Sequence, residues 1–414
     1  MSNKLLVPQI RFKEFTNAWE QDTAKNLFIP YRVKNSSNMN LVSYSVTNKD
    51  GFVNQNEYFD DGGKAVFADK KNSLIVSINT FAYNPSRINV GSLALYKHSE
   101  MGLVSPIYEV FQINNNNNPD FFLLWFRSEA FKNIVSTNSN KSVRDTLNLS
   151  QFESESVNFP NFAEQSKISS LFTHLDSLIT LHQRKLLSLK NLKSRLLDRM
   201  FCDEKSQFPS IRFKEFTNTW EQEKLGECSK FYNGLTSVSK SDFGVGKDLY
   251  IDYLNVFNNT FSQFGELKKF KNSSRQNYVQ FKDVILTISS ETPDEVAMSS
   301  VINWKNDYKN VAFNSFCILV RFNQLEKYDV NYIGYFFRSN SFRTQAMLMA
   351  QGISRFNVNQ TALKKTLFLF PPNIYEQQKI GNVLYYLDSL ITLHQRKLNS
   401  LKNIKNTLLD KMFV

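Results

Sequence analysis

The chain has 414 residues, 42% apolar and 14% aromatic, and its 50 Lys/Arg against 38 Asp/Glu give a net charge of +12. Such a composition excludes a disordered chain, and no apolar run reaches the roughly 18 residues that a membrane span needs. Three scattered cysteines (Cys202, Cys228, Cys317) argue against a disulfide framework, and a pI near 9.3 favours a polyanionic partner.

The opening MSNKLLVPQIRF lacks the apolar core of a secretory leader, so a cytoplasmic setting is expected. The first recognisable element follows at once. Pro8–Gln21, PQIRFKEFTNAWEQ, returns as Pro209–Gln222, PSIRFKEFTNTWEQ, identical at 12 of 14 positions. After it comes a stretch whose charge is balanced, with 13 Lys/Arg and 13 Asp/Glu over residues 22–157. Within this stretch SLIVSIN (73–79) and SPIYEVFQI are β-branched apolar runs that predict buried strands. Asn114–Asn118 followed by Pro119 predicts a polar surface loop, whose amides could alternatively read base edges. LLWFRSEAF (123–131) closes the region.

A long helix is expected next. Phe172, Leu175, Ile179, His182, Leu186, Leu189, Lys193, Leu196 and Met200 follow the alternating three-and-four spacing of a coiled-coil seam. Leu171, Leu178, Leu181 and Leu192 widen the apolar face beyond what one partner helix covers. Some 38 residues of helix make a rod of roughly 57 Å. The segment repeats: Leu175–Phe201 matches Leu387–Phe413 at 22 of 27 positions. The second seam is therefore Leu384, Leu387, Ile391, His394, Leu398, Leu401, Lys405, Leu408 and Met412. Two near-identical helices in one chain can pair with each other; if antiparallel, they place the two domains under a pseudo-two-fold axis. His182 and His394 have no second ligand at metal spacing and are expected to be structural.

Between the repeats identity nearly vanishes, but an outline persists. DVILTIS (283–289) is set against SLIVSIN, SFCILVRF against SPIYEVFQI, and GYFFRSNSF (334–342) against LLWFRSEAF. Residues 223–370 carry 18 Lys/Arg against 13 Asp/Glu, and the segments 164–201 and 376–413 add 7 against 3 and 6 against 3. The expected fold class is α/β (α+β): two similar domains joined by two long antiparallel coiled-coil helices. The boundaries fall at 1–157, 158–204, 205–370 and 371–414.

Catalytic patterns are weak. Pro293-Asp294 with Asp307-Tyr308-Lys309 fits the loose PD…(D/E)xK pattern of metal-dependent nucleases, in which Asp294 and Asp307 would chelate a cation and Lys309 polarise water. The pattern is short and lies in loop-like sequence, so a stand-alone nuclease is the alternative reading only. Asp242–Lys247, DFGVGK, lacks a full phosphate-loop motif and predicts a glycine-rich turn. No catalytic constellation and no metal-ligand set stands out, and the chain is expected to catalyse nothing by itself.

With these elements assembled, the sequence resembles the specificity subunits of type I restriction-modification systems. The duplicated PxIRFKEFTNxWEQ openings, the EQxKI…LDSLITLHQRKL helices and the divergent stretches between them carry the resemblance. YNPSRINVGS (Tyr83–Ser92), and MAQGISRFNVN (Met349–Asn359) answered by TNSNKSVRDTLN (Thr137–Asn148), add to it. The resemblance implies two target recognition domains, each reading one half of a split, asymmetric site on double-stranded DNA. It implies helices that set the gap between the halves and dock two methyltransferase subunits. S-adenosylmethionine, ATP and Mg would reside in those partners and in up to two restriction subunits, with no cofactor on this chain and no membrane. Candidate DNA contacts are Arg87, Arg127, Lys141 and Arg144 in the first domain, and Lys268, Lys269, Arg338, Arg343 and Arg355 in the second. Matched arginines, Arg127 with Arg338 and Arg144 with Arg355, would favour phosphates. Leu175, Ile179, Leu186, Leu189 and Leu196, with Leu387, Ile391, Leu398, Leu401 and Leu408, are the expected pairing and partner interface.

Overall fold

The computed structural model describes residues 6–59, 70–138, 146–203, 205–305 and 310–414. They form two compact units, one of residues 1–182 with 397–414 and one of residues 183–396. Both are mixed helix and strand.

In the first unit, Glu20–Thr23 pairs antiparallel with Ser156–Phe159. A four-stranded sheet runs in the order Phe28–Pro30, Glu109–Ile113, Thr80–Tyr83, Leu93–Leu95. A second runs Gly51–Asn54, Val42–Thr47, Gly102–Val104, Leu74–Val76, with Val42–Thr47 antiparallel to the first of these and parallel to Gly102–Val104. Helices Pro119–Trp125 and Glu129–Asn138 pack on the core through Phe121, Phe122, Trp125 and Phe131.

The second unit follows the same plan. Glu221–Lys224 pairs with Leu367–Phe370. One sheet runs Ser229–Asn233, Cys317–Phe322, Val284–Thr287, Ser299–Val301, and the other runs Lys268–Phe270, Phe243–Ile251, Val311–Phe313. Strand neighbours correct one alignment. Val284–Thr287 lies antiparallel to two strands, as Thr80–Tyr83 does, so DVILTIS corresponds to TFAY and not to SLIVSIN. Leu74–Val76 belongs to the other sheet. Both runs are buried and β-branched, and composition alone does not separate them.

The repeated openings are docked by charge. Arg11 donates twice to the Glu164 carboxylate, at 2.8 and 2.7 Å, and Arg212 twice to Glu376, at 2.7 and 2.8 Å. Glu164 and Glu376 are fully or almost fully buried, and hydrogen bonding to them raises both guanidinium pKa values. Removing one partner of such a pair strands a buried charge at a cost of about 3–5 kcal/mol. Lys167 with Glu14, and Lys379 with Glu215, add an outer ion pair to each lock. The next residue, Gln165, donates to the Pro160 carbonyl at 2.8 Å and to the Asn117 side chain at 2.6 Å. Gln377 likewise donates to the carbonyls of Pro371 and Lys327. Hence EQxKI at a helix start and IRFKEF in an opening are two halves of one lock.

Each opening also meets the end of a long helix. Ile10 N–H donates to the Lys411 carbonyl, and Ile211 N–H to that of Arg199. Trp19 packs edge-on to Phe413 at 6.3 Å, and Trp220 to Phe201 at 6.5 Å. The sequence MF that ends both helices is therefore core.

The long helices are Phe162–Arg199 and Ile374–Lys411, 38 residues each. Asn161 and Asn373 precede them and accept from Glu164 N–H and Tyr375 N–H, the capping that Pro-Asn leads into. In the second helix Gly381 allows close packing on Val330–Phe336, since a Cβ there would lie 2.7 Å from the Tyr332 nitrogen.

Candidate nucleic-acid interface

The nine cations singled out in the sequence have different fates. Arg338 is an internal staple and not a phosphate ligand. Its guanidinium donates to the carbonyls of Ser299 (2.8 Å), Val256 (2.9 Å), Phe257 (3.0 Å) and Asn259 (3.0 Å), gathering the orphan carbonyls at the end of helix Tyr253–Asn258. Burial lowers its pKa to about 10. Arg343 is spent in the same way, on the carbonyls of Ala297 (2.8 Å), Asp294 (2.6 Å) and Val296 (2.5 Å), and burial brings it to about 10 as well. Most of the five N–H donors of each guanidinium are thus committed to carbonyls inside the fold. The expected match between Arg127 and Arg338 therefore fails. Arg127 lies in the equivalent turn but is exposed, and with Lys132 it borders a cavity of about 620 Å³ lined by Ile88, Val90, Phe131 and Val135.

Arg87 is exposed on the short 3-10 helix Pro85–Val90, which Asn84 caps by accepting from Ser86 N–H. Arg355 is exposed in a turn closed by reciprocal backbone bonds between Gln351 and Asn357, at 3.0 and 2.8 Å. Lys141 and Arg144 lie outside the described residues, as do Asp307 and Lys309 of the nuclease pattern. Asp294, the remaining member, sits on the 3-10 helix Pro293–Glu295, whose carbonyl Arg343 holds. The asparagine run is scaffold: Asn118 caps helix Pro119–Trp125, Asn117 is buried against Gln165, and Asn114 donates to the Asn26 carbonyl.

Lys268 and Lys269 are exposed on the edge strand Lys268–Phe270. Its partner strand, Phe243–Ile251, brings Leu249 opposite Lys269 and Tyr250 opposite Lys268. Side chains alternate along a strand and share a face with those opposite. Lys247, Lys269 and Lys271 are thus set on one face, all exposed, whereas Phe270 and Tyr250 turn into the apolar cluster with Leu235 and Ala312. Lys247 and Lys271 escaped the sequence reading. The alternation in KKFK, with one aromatic between two lysines, was the available signal.

The helix residues divide cleanly. Leu175, Ile179, Leu186, Leu387 and Leu398 are buried, and Leu189, Leu196, Ile391, Leu401 and Leu408 half-buried. In the first unit Asp176 accepts from Lys405 at 2.5 Å, and in the second Asp388 accepts from Lys193 at 2.6 Å, so each pairing is locked by matched residues. A second apolar stripe stays open. Leu178, Leu181 and Leu192 are 44%, 46% and 44% exposed, and their counterparts Leu390, Leu393 and Ile404 are 42%, 45% and 46% exposed. Matched positions of the two copies are therefore exposed to the same extent.

Comparison with known proteins places this arrangement. The family model described as the type I restriction modification DNA specificity domain matches twice, over residues 21–191 and 217–403. No curated protein sequence matches the chain. Among solved structures, the HsdS subunit from Thermoanaerobacter tengcongensis is similar in fold, with 14% identity, TM-score 0.52, and 95% of this chain and 96% of that one covered. The type I restriction-modification S subunit from M. genitalium is similar at 13% identity and TM-score 0.55, covering 99% of each chain. A chain from work on complex assembly and conformational transition of the type I R-M system has 14% identity and TM-score 0.55, with 97% of this chain and 99% of that one covered. With two copies of the domain model spanning most of its length, the chain belongs to the family of type I restriction-modification DNA specificity subunits.

Proposed function

We propose that this DNA sequence-recognition subunit reads a split, asymmetric site on double-stranded DNA, one half with each of the domains 1–157 and 205–370. Two methyltransferase subunits dock on the long helices and bring S-adenosylmethionine. Where ATP-dependent restriction subunits join, ATP and Mg enter with them. The chain itself supplies recognition, and the complex works in the cytoplasm. The supporting observation is that the scaffold is held constant while the readers diverge. Arg11–Glu164 and Arg212–Glu376 are the same lock, and the two open leucine stripes are the same surface. The strands they carry differ in charge and side chain. One partner bound twice and two different sequences read would require that combination.

Methylation mapping of DNA from cells expressing the chain with its methyltransferase subunit tests the proposal. A split motif methylated at adenine in both halves is expected, and exchanging residues 223–370 for those of another family member should change one half alone. A soluble, active complex that leaves no motif would refute it.

A further inference from the structure

We propose that the ribbon of Phe243–Ile251 and Lys268–Phe270 is the salt-dependent DNA anchor of the second domain, gripping phosphates through Lys247, Lys269 and Lys271. Among the described residues, the matched ribbon of the first domain carries no equivalent grip. The inference rests on the chain's reading of DNA and adds where the affinity comes from.

The two domains contain topologically matched ribbons. Val42–Thr47 lies antiparallel to Gly51–Asn54 and parallel to Gly102–Val104; Phe243–Ile251 lies antiparallel to Lys268–Phe270 and parallel to Val311–Phe313. In the first, the strands VSYSVT and GFVN carry no charge, and the turn Asn48-Lys49-Asp50 cancels its own. In the second, three lysines share a face. None of Lys247, Lys268 and Lys269 makes an ion pair with a described residue. The neighbouring carboxylates are engaged or turned away. Asp242 accepts from the Ser239 hydroxyl and N–H at 2.5 and 2.8 Å, bonds that lower its pKa, with Lys271 contributing less. Glu266 accepts from Asn259, and Asp248 stands opposite Phe270 on the other face.

The ribbon is also rigid enough to position its charges. Tyr250 packs tilted against Phe243 and edge-on to Phe270, with ring centroids 5.2 and 5.7 Å apart, and Lys271 N–H donates to the Asp242 carbonyl. Gly246 adopts φ +85° at the bulge, where a Cβ would come within 2.6 Å of the Phe270 carbonyl, so the close approach is reserved for glycine. A two-stranded ribbon is of a size that the major groove admits, and lysines along its face would meet the flanking phosphates. Like charges crowded on one face repel, and a polyanion removes that repulsion.

Lysines on an edge strand also discourage edge-to-edge aggregation, and the test must separate the two roles. The complex with the methyltransferase subunit is titrated with a duplex containing its mapped site, and with unrelated duplex, over a range of salt. Each lost phosphate contact flattens the slope of log K against log salt by about 0.9. The triple variant Lys247→Ala/Lys269→Ala/Lys271→Ala is therefore expected to flatten it by about 2 to 3 on both duplexes, while Lys→Arg at the same positions restores it. Lys49→Ala in the first domain should change it by less than about 1. An unchanged slope overturns the proposal, and so does a triple variant whose only defect is aggregation. A wild-type complex that fails to distinguish its site from unrelated DNA would instead remove the reading on which the proposal rests.

Discussion

Arg127 and Arg338 sit in the same Phe-Arg-Ser turn, each between two helices and each followed by a serine whose hydroxyl donates back to a carbonyl at 2.7 Å. One is exposed; the other holds four carbonyls inside the second unit. Identical local sequence has fixed the turn and left the side chain's work to whatever the variable region places opposite it. In the second unit that is the end of helix Tyr253–Asn258; the first unit sets Ile88–Gly91 near its arginine. A matched residue in a duplicated protein is a matched backbone position, and nothing more until its surroundings are known.

The contrast can be broken by mutation. Arg338→Ala strands several buried acceptors and is expected to destabilise the second unit by about 3–5 kcal/mol. Arg127→Ala should stay within about 0.5 kcal/mol. Hydrogen exchange of Val256–Asn259 is the appropriate measurement, because it reports one unit without assuming a single transition for the whole chain. Equal protection in both variants would mean that the staple is dispensable. The locks predict the reverse pattern, with equality between copies. Arg11→Met and Arg212→Met each leave a buried carboxylate without its cation, Glu376 keeping the Trp220 indole N–H at 3.3 Å as a donor, and each should cost about 3–5 kcal/mol in its own unit. A large difference between them would show that the repeats are no longer equivalent. A smaller matched pair follows at the seam: Leu186→Ala and Leu398→Ala each remove a buried side chain and should cost about 2–4 kcal/mol.

Much of the scaffold was legible because it is written twice. Periodicity placed the helices and their seam, and burial alternates along both copies at the same positions. The aspartates that lock the seam were less visible. Asp176 and Asp388 stand next to seam leucines and read as solvent-facing until a lysine from the other helix arrives. The asparagine run reads as a plain polar surface loop, yet Asn117 and Asn118 fasten it to the start of a long helix. Arg338 and Arg343 misled for a related reason. A cation in sequence carries no mark of burial, and only tertiary structure showed that carbonyl groups from two separate segments, 256–259 and 294–299, converge on them. The basic ribbon lay between these extremes. Lys268 and Lys269 were conspicuous, whereas Lys247 joins Lys269 only through a cross-strand register that a bulge shifts.

The smallest expected effect on stability bears most directly on assembly. Leu181→Ser and Leu393→Ser alter matched positions that are 46% and 45% exposed, so each should change folding stability by no more than about 0.5 kcal/mol. If the stripe is the place where methyltransferase subunits dock, each change removes apolar contact from a different copy of the interface. Titration of the variants with the methyltransferase subunit should then show one weakened site in each single variant and two in the double variant. A double variant that binds both subunits as the wild type does would leave the stripe as ordinary exposed leucine and move the docking surface elsewhere on the scaffold. Loss of both sites from one substitution would mean that the two copies, though alike in exposure, are not used independently.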